Sequence, residues 1–306
     1  MKGILSILIC LISITTQAQT FKELIQRGRN LYNQEKYLES AEKYDKAFKR
    51  NEGDASQYYK AACSWALSGD TINSMKYLNL AADKGWEDFR HIKIDKDLWS
   101  LHLVKGWDSI LDKIKVNLEE YEKNFDKPLQ KQLEKIFVRD QTLRQLHREA
   151  EDKFGIDSDE MNYFWELISK QDSLNELEVI NIIDKRGWVG KTLVGEKANT
   201  ALWLVIQHAP IEIQEKYLSL FKESVKAGES NGRNLALLVD RIQMRKGEPQ
   251  TYGSQIIRDE KTENPIVYKV FEPEYVNQRR KEVGLGPIED YVKRWGIEWT
   301  IEQKEK

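Results

Sequence analysis

Cysteine is nearly missing from this chain, at 2 residues in 306. Cys10 lies in an apolar N-terminal run that reads as a cleaved signal, which leaves Cys63 on its own. A disulfide framework and a cysteine-based zinc site are therefore excluded. Cys63 falls in an apolar helical pattern, where an inert buried thiol is the expected role. Histidine is also scarce: His91, His102, His147 and His208 are scattered and HExxH is absent, so a zinc hydrolase site has little support. No serine sits in a nucleophile-elbow context, and no glycine loop is shaped to cradle phosphate. The Gly284-Leu285-Gly286-Pro287 run reads as a turn. No metal and no cofactor is expected. Excess charge of one sign is missing too, because 48 Lys and Arg interleave with 50 Asp and Glu for a net charge of −2. Without a basic stripe to neutralise phosphates, nucleic-acid binding is not expected.

Long apolar runs are confined to the extreme N-terminus. Lys2 supplies a positive start, residues 4–14 form an apolar stretch too short to span a bilayer, and Thr16-Gln17-Ala18 is a small-x-small cleavage site. A lipoprotein signal using Cys10 is the weaker alternative, since Ile9 stands where a small residue is wanted. The expectation is a signal peptide over residues 1–18, cleavage near Ala18, and a periplasmic or secreted protein with no transmembrane segment. About 290 residues remain, a length suited to two domains.

Residues 21–84 carry an internal repeat. Gly28 recurs 34 residues on as Ala62, Leu31 as Trp65, Ser40 as Ser74, Tyr44 as Leu78 and Ala47 as Ala81. Small residues recur where helices must touch closely and large ones where a knob fills a gap. In spacing and residue order the segment closely resembles tetratricopeptide repeats. Two such units bury too little alone, so the stretch from Phe89 to Ile114, with Trp99, Trp107 and Ile110, is expected to form a capping pair of helices. The predicted domain covers residues 21–117, either as a stable platform docked on the rest of the chain or as a groove for a protein or peptide partner.

Residues 115–127 read as a polar helical connector, and Pro128 suits the first turn of a new helix capped by Asp126. The second predicted domain spans residues 128–299. Apolar periodicity predicts helices over residues 129–150, 161–168, 174–183, 198–209, 211–225 and 235–244. Asp172 or Ser173 would start the third of these and Gly187 end it. The helix over residues 198–209 is apolar nearly all round and is expected to be central. Residues 251–258 and 266–271 read as two strands around Asn264-Pro265, followed by short helices over 275–282 and 288–295. The predicted fold is mainly α: tetratricopeptide-like helical hairpins followed by a helical domain with one small β-hairpin.

Within residues 203–255, two strongly apolar helices each end in a polar pair, Gln207-His208 and Asp240-Arg241, and the EPQTYGSQ segment follows. Burying such groups beside leucine and valine costs free energy unless they pair or have a task. If the helices run antiparallel, Asp240 could orient His208 and leave its other ring nitrogen as a general base. The alternative is a satisfied core histidine, with Asp240 paired to Arg241 or Arg144. Strand alternation places Gln250, Tyr252 and Ser254 on one face, and a bulge at Gly253 would bring Gln255 round to join them. Asp140, Arg144 and His147 share a helix face, where Asp140 and Arg144 either form an ion pair or lend Arg144 to an anionic ligand.

These residues also carry a second resemblance. Asp140-Gln141 with Arg144, Asp172 with Asn175, Gly187-Trp188, Gln207-His208-Ala209 with Gln214, Asp240-Arg241, and Gly247 with residues 250–255 together resemble an uncharacterised bacterial domain family of unknown function. The resemblance spans roughly residues 128–292, with Ser254 where the family pattern has threonine and Val189 where it has proline. It implies no known activity. The expected function is an exported binding protein, with a repeat platform and a polar pocket for a small ligand. The alternative is a hydrolase or lyase using His208 and Asp240 as catalytic residues, with Gln207, Arg241, Gln250, Tyr252, Gln255 and Arg144 binding the substrate.

Overall fold

The computed structural model describes residues 20–305, so the expected signal over residues 1–18 lies outside the described residues. Among the described residues the chain is mainly α-helical with one two-stranded antiparallel sheet. It divides between Lys123 and Asn124 into two units.

The first unit contains α1 (Phe21–Asn33), α2 (Tyr37–Phe48), α3 (Ala55–Leu67), α4 (Thr71–Asp83), α5 (Phe89–Ile94), a 3-10 turn over Lys96–Leu101 and α6 (Trp107–Tyr121). The sequence repeat returns as repeated chemistry. Thr20 and Asp54 each begin a helix with a capping box, closed by Glu23 and Gln57 respectively. The Ser40 hydroxyl donates to the Gly28 carbonyl at 2.7 Å, and the Ser74 hydroxyl to the Ala62 carbonyl at 2.7 Å. Such a bond forms only where two helices nearly touch, which is why Gly28 has no side chain: a Cβ there would lie 3.0 Å from the Tyr44 ring. In the next repeat Ala62 and Leu78 occupy the corresponding buried positions, a larger small residue matched to a smaller large one.

The expected capping pair of helices is instead α5, the 3-10 turn and α6. Trp107, Ile110 and Ile114 join the core as expected, but Trp99 is 59% exposed. It lies on the short 3-10 turn, where Leu98 and Leu101 take the inward positions.

The second unit contains α7 (Lys127–Phe154), α8 (Asp159–Arg186), α9 (Lys191–Val194), α10 (Glu196–His208), α11 (Ile211–Lys226) and α12 (Gly232–Arg245). After them come β1 (Ile256–Arg258), β2 (Pro265–Val267), a 3-10 turn over Pro273–Tyr275, α13 (Val276–Glu282), α14 (Ile288–Val292) and a 3-10 turn over Lys293–Trp295. Asp126 caps α7 by accepting from the Leu129 amide, with Pro128 in the first turn. Helix α10 packs against α7, α8, α9, α11 and α12, and it contributes Ala198, Ala201, Leu202, Val205 and Ile206 to the core.

Where two helices were expected over residues 161–168 and 174–183, α8 is continuous. The residues that looked like a start signal are spent otherwise: the Ser173 hydroxyl bonds back to the Ser169 carbonyl, and Asp172 holds Arg144. The strand expected over residues 251–258 is also shorter. Strand β1 pairs with β2 only from Ile256↔Val267 to Arg258↔Pro265, and the QTYGSQ segment is a loop. No helix among the described residues is long and apolar enough to cross a membrane.

Candidate functional site

His208 is the last residue of α10, and its Nδ1 lies 3.1 Å from Oδ1 of Asp140 on α7. Asp140 is 1% exposed. Its other oxygen accepts from Gln141 at 2.6 Å, and Arg144, one turn further along, lies 3.4 Å from the carboxylate. Arg144 reaches on to α8, where one guanidinium nitrogen donates to both Asp172 oxygens at 2.9 and 2.7 Å. Burial alone would raise the Asp140 carboxyl, but hydrogen bonds from His208 and Gln141 and the charge of Arg144 outweigh it and hold the group below its ordinary value. The three- and four-residue spacing on α7 thus builds a polar seam joining α7, α8 and the end of α10.

This geometry corrects the expected pairing of His208 with Asp240. Asp240 is fully buried on α12, and its oxygens accept from the backbone amides of Thr251 at 2.8 Å, Tyr252 at 2.9 Å and Ser254 at 2.8 Å. Nor does it pair with Arg241 or Arg144. Consecutive residues on a helix point in different directions, so Asp240 faces the loop while Arg241 faces the end of α10. Burial pushes the Asp240 carboxyl up, and the amides of Tyr252, Ser254 and Thr251 pull it part of the way back.

The loop is held on its carbonyl side as well. Arg279 donates to the Thr251 carbonyl at 2.8 Å, Arg280 to the Tyr252 carbonyl at 2.7 Å, and the Tyr291 hydroxyl to the Ser254 carbonyl at 2.8 Å. The Gln250 side chain is spent inside the loop, accepting from the Gln255 amide at 2.7 Å and donating to the carbonyls of Gln255 and Tyr268. Gly253 adopts a φ of +69° with its α-carbon face against Ile288, and a Cβ there would lie 2.5 Å from the Ile288 Cδ1. The QTYGSQ motif is therefore a clamped loop in which Gln250 and Asp240 are internal ties.

A cleft of about 370 Å³ opens beside this loop, lined by Trp203, Gln207, His208, Leu237, Arg241, Ser254, Gln255, Ile256, Tyr291 and Trp295. Of the residues expected from sequence, it gathers His208, Gln207, Arg241 and Gln255. Asp240, Gln250, Tyr252 and Arg144 do not line it, although Arg144 lies behind His208 through Asp140. Several cleft groups lack partners: the Gln207 Oε1, the Arg241 Nε and the Trp203 Nε1 are buried without a hydrogen bond. Arg241 forms no ion pair among the described residues. Its single hydrogen bond runs 3.4 Å to the Gln207 carbonyl, and burial together with Arg245 and Arg144 pushes its pKa down.

Trp203, Tyr291, Trp295 and the buried Arg280, which donates through Nε and Nη1, were not among the site residues expected from sequence. Trp203 belongs to the helix that carries His208, so that helix's position would have flagged it, whereas the aromatics of the C-terminal tail carry no local signal. The Asp140, Asp172 and His208 ligand atoms lie within 4.8 Å of one another, a cluster of a kind that can hold a metal ion. Here the Arg144 guanidinium supplies the positive charge between the two carboxylates.

The first unit has a larger cavity of about 540 Å³, lined by Arg29, Tyr32, Tyr44, Tyr59, Lys60, Cys63, Asp95 and Asp97 among others. Its carboxylates are engaged by tyrosines, Tyr59 with Asp95 and Tyr32 with Asp97. Burial, and then the charges of Asp95 and Asp97, push the Cys63 thiol well up, which keeps it protonated and unreactive. Neither size nor histidine chemistry decides between the two cavities: His91 lines the first, 3.2 Å from Asp95, and the Arg29 Nε and Tyr44 hydroxyl there are buried without a hydrogen bond. The second unit's cleft adds the clamped loop and the Asp140–Arg144–Asp172 seam behind its histidine.

No curated protein and no solved structure matches the chain. A family model described as a family of unknown function, DUF6624, matches residues 127–302. That span is more than half of the chain and holds the polar seam, the clamped loop and the cleft, and the chain belongs to the DUF6624 family.

Proposed function

We propose that the chain is an exported binding protein whose second unit holds a small polar ligand in the cleft between the end of α10, α12 and the clamped loop. The observation that carries this is the set of unmet groups. Gln207 is only 5% exposed, yet its Oε1 has no donor, and the Arg241 Nε and Trp203 Nε1 beside it have no acceptor. A buried polar atom without a partner costs about 1–3 kcal/mol, a cost that a ligand bringing complementary groups removes. Export is supported by the charged, apolar and small-residue order of residues 2–18. The tetratricopeptide-like hairpins of the first unit would serve as a platform, with the cavity lined by Arg29, Tyr59 and Lys60 as the groove for a peptide partner.

A thermal-shift screen of the intact chain with sugars and amino-acid derivatives, beside Gln207→Leu, tests this function. A ligand should raise the wild-type melting temperature and not the variant's, while the ligand-free variant is at least as stable as wild type. A ligand-free variant destabilised like an ordinary core substitution would mean that Gln207 is structural, and would refute the proposal.

A second reading, a hydrolase or lyase, is favoured by the His208–Asp140 contact. Asp140 engages Nδ1, which leaves Nε2 as the nitrogen available to a bound substrate as a general base. Nitrogen NMR of the imidazole would then find the neutral ring protonated on Nδ1 in wild type and in Asp240→Ala. In Asp140→Ala the two tautomers should mix. An unchanged tautomer in Asp140→Ala would remove the basis for a catalytic dyad.

A further inference from the structure

We infer that the ligand of this cleft is a carboxylate carrying an N–H or O–H donor on an apolar or sugar-like body. The inference rests on the binding function proposed above and adds the chemical class. Three arginines lie near the end of α10, but their charges are not equally met. Arg144 is spent on Asp172 and Asp140. Arg245 donates to the Ala209 carbonyl at 2.9 Å. Arg241 has only the long bond to the Gln207 carbonyl, and its Nε is unused. The helix C-terminus offers both of the latter a partial negative charge, but a neutral carbonyl at 3.4 Å does not offset the burial of a whole guanidinium. The acid nearest in sequence, Asp240, is turned to the loop and fully occupied.

One unpaired guanidinium offers one positive charge and one forked edge, which match the charge and width of a carboxylate. A phosphate dianion would require further donors or charges, and the cleft contains no second unpaired cation. The remaining orphans set the rest of the ligand. Trp203 Nε1 is a second donor for an acceptor oxygen, and Gln207 Oε1 is an acceptor that selects an N–H or O–H. Trp203, Tyr291 and Trp295, with Leu237 and Ile256, present apolar surface to the ligand body. An N-acylated amino acid and a uronic acid share these features.

Isothermal titration of the intact chain separates the possibilities. The probes are N-acetylphenylalanine and glucuronate, each beside a neutral counterpart (N-acetylphenylalaninamide and methyl glucoside), together with inorganic phosphate. At least one acid should bind about ten-fold or more tightly than its counterpart, and which acid does so identifies the amino-acid or the sugar source. Arg241→Gln should abolish that preference without lowering the melting temperature, and Arg241→Lys should retain part of it. If neutral and acidic probes bind equally, or phosphate binds most tightly, the carboxylate assignment is overturned while the binding cleft stands. If no probe binds at roughly millimolar concentration, both fall.

Discussion

The fold of the second unit depends on Asp240 through a countable set of hydrogen bonds, so truncating it should give graded losses. In Asp240→Ala the Tyr252 and Ser254 amides lose their only acceptor, while the Thr251 amide keeps the Gln243 Oε1 at 3.0 Å. Two orphaned buried donors at about 1–3 kcal/mol each give a loss of about 2–6 kcal/mol. Asp240→Asn keeps the oxygen serving Thr251 and Tyr252 and turns an amide nitrogen toward Ser254, which orphans one donor for about 1–3 kcal/mol. Relief of the charge's burial offsets part of that. Urea unfolding followed by tryptophan fluorescence measures both losses, and hydrogen exchange at residues 251–254 localises them. The reasoning fails if the asparagine variant is as costly as the alanine one, or if Asp240→Ala lies within about 1 kcal/mol of wild type.

Two further outcomes follow from the same contacts. The Asp140 carboxyl is held below its ordinary value, so as pH falls the unfolded chain takes up the proton first; its contribution is complete above about pH 4 and is lost as pH drops through the folded value. Asp140→Asn should therefore be less stable near neutral pH, by about 1–3 kcal/mol, since Arg144 keeps Asp172. It should also show a shallower acid limb in urea titrations; parallel limbs would contradict the assignment. At Gly253, the φ of +69° and the 2.5 Å approach to Ile288 predict that Gly253→Ala costs at least about 1–2 kcal/mol by chemical denaturation, and a neutral result would show that the loop relaxes freely.

Much of this architecture is legible in local pattern. The 34-residue recurrence of Gly28 and Ser40 as Ala62 and Ser74 foretold two helix pairs in close contact, because a hydroxyl-to-carbonyl bond across a helix crossing needs a small residue beneath it. The all-round apolar run of α10 foretold a central helix, and Gln207, His208 and Arg241 of the two polar pairs marked the cleft wall, whereas Asp240 turned to the loop. Two other expectations failed because the chemistry that decides them is distant. Asp172 and Ser173 look like a helix start until Arg144, 28 residues away, takes the carboxylate. The QTYGSQ alternation looks like a strand until Asp240, Arg279 and Arg280 take its amides and carbonyls.

The sequence alone determined which residues are polar amid apolar surroundings, and the mainly helical periodicity that carries them. Tertiary structure alone decided their partners. Asp140 and Asp240 are both acids on amphipathic helices, and nothing local distinguishes them. Helix α7 crosses the end of α10, so Asp140 meets His208 at 3.1 Å, whereas the rotation of α12 about its axis turns Asp240 to the loop. A side chain's direction is fixed by the helix periodicity, but what it meets is fixed by how the helices pack, and the bonds that reward that packing span 68 residues in one case and 11 to 14 in the other.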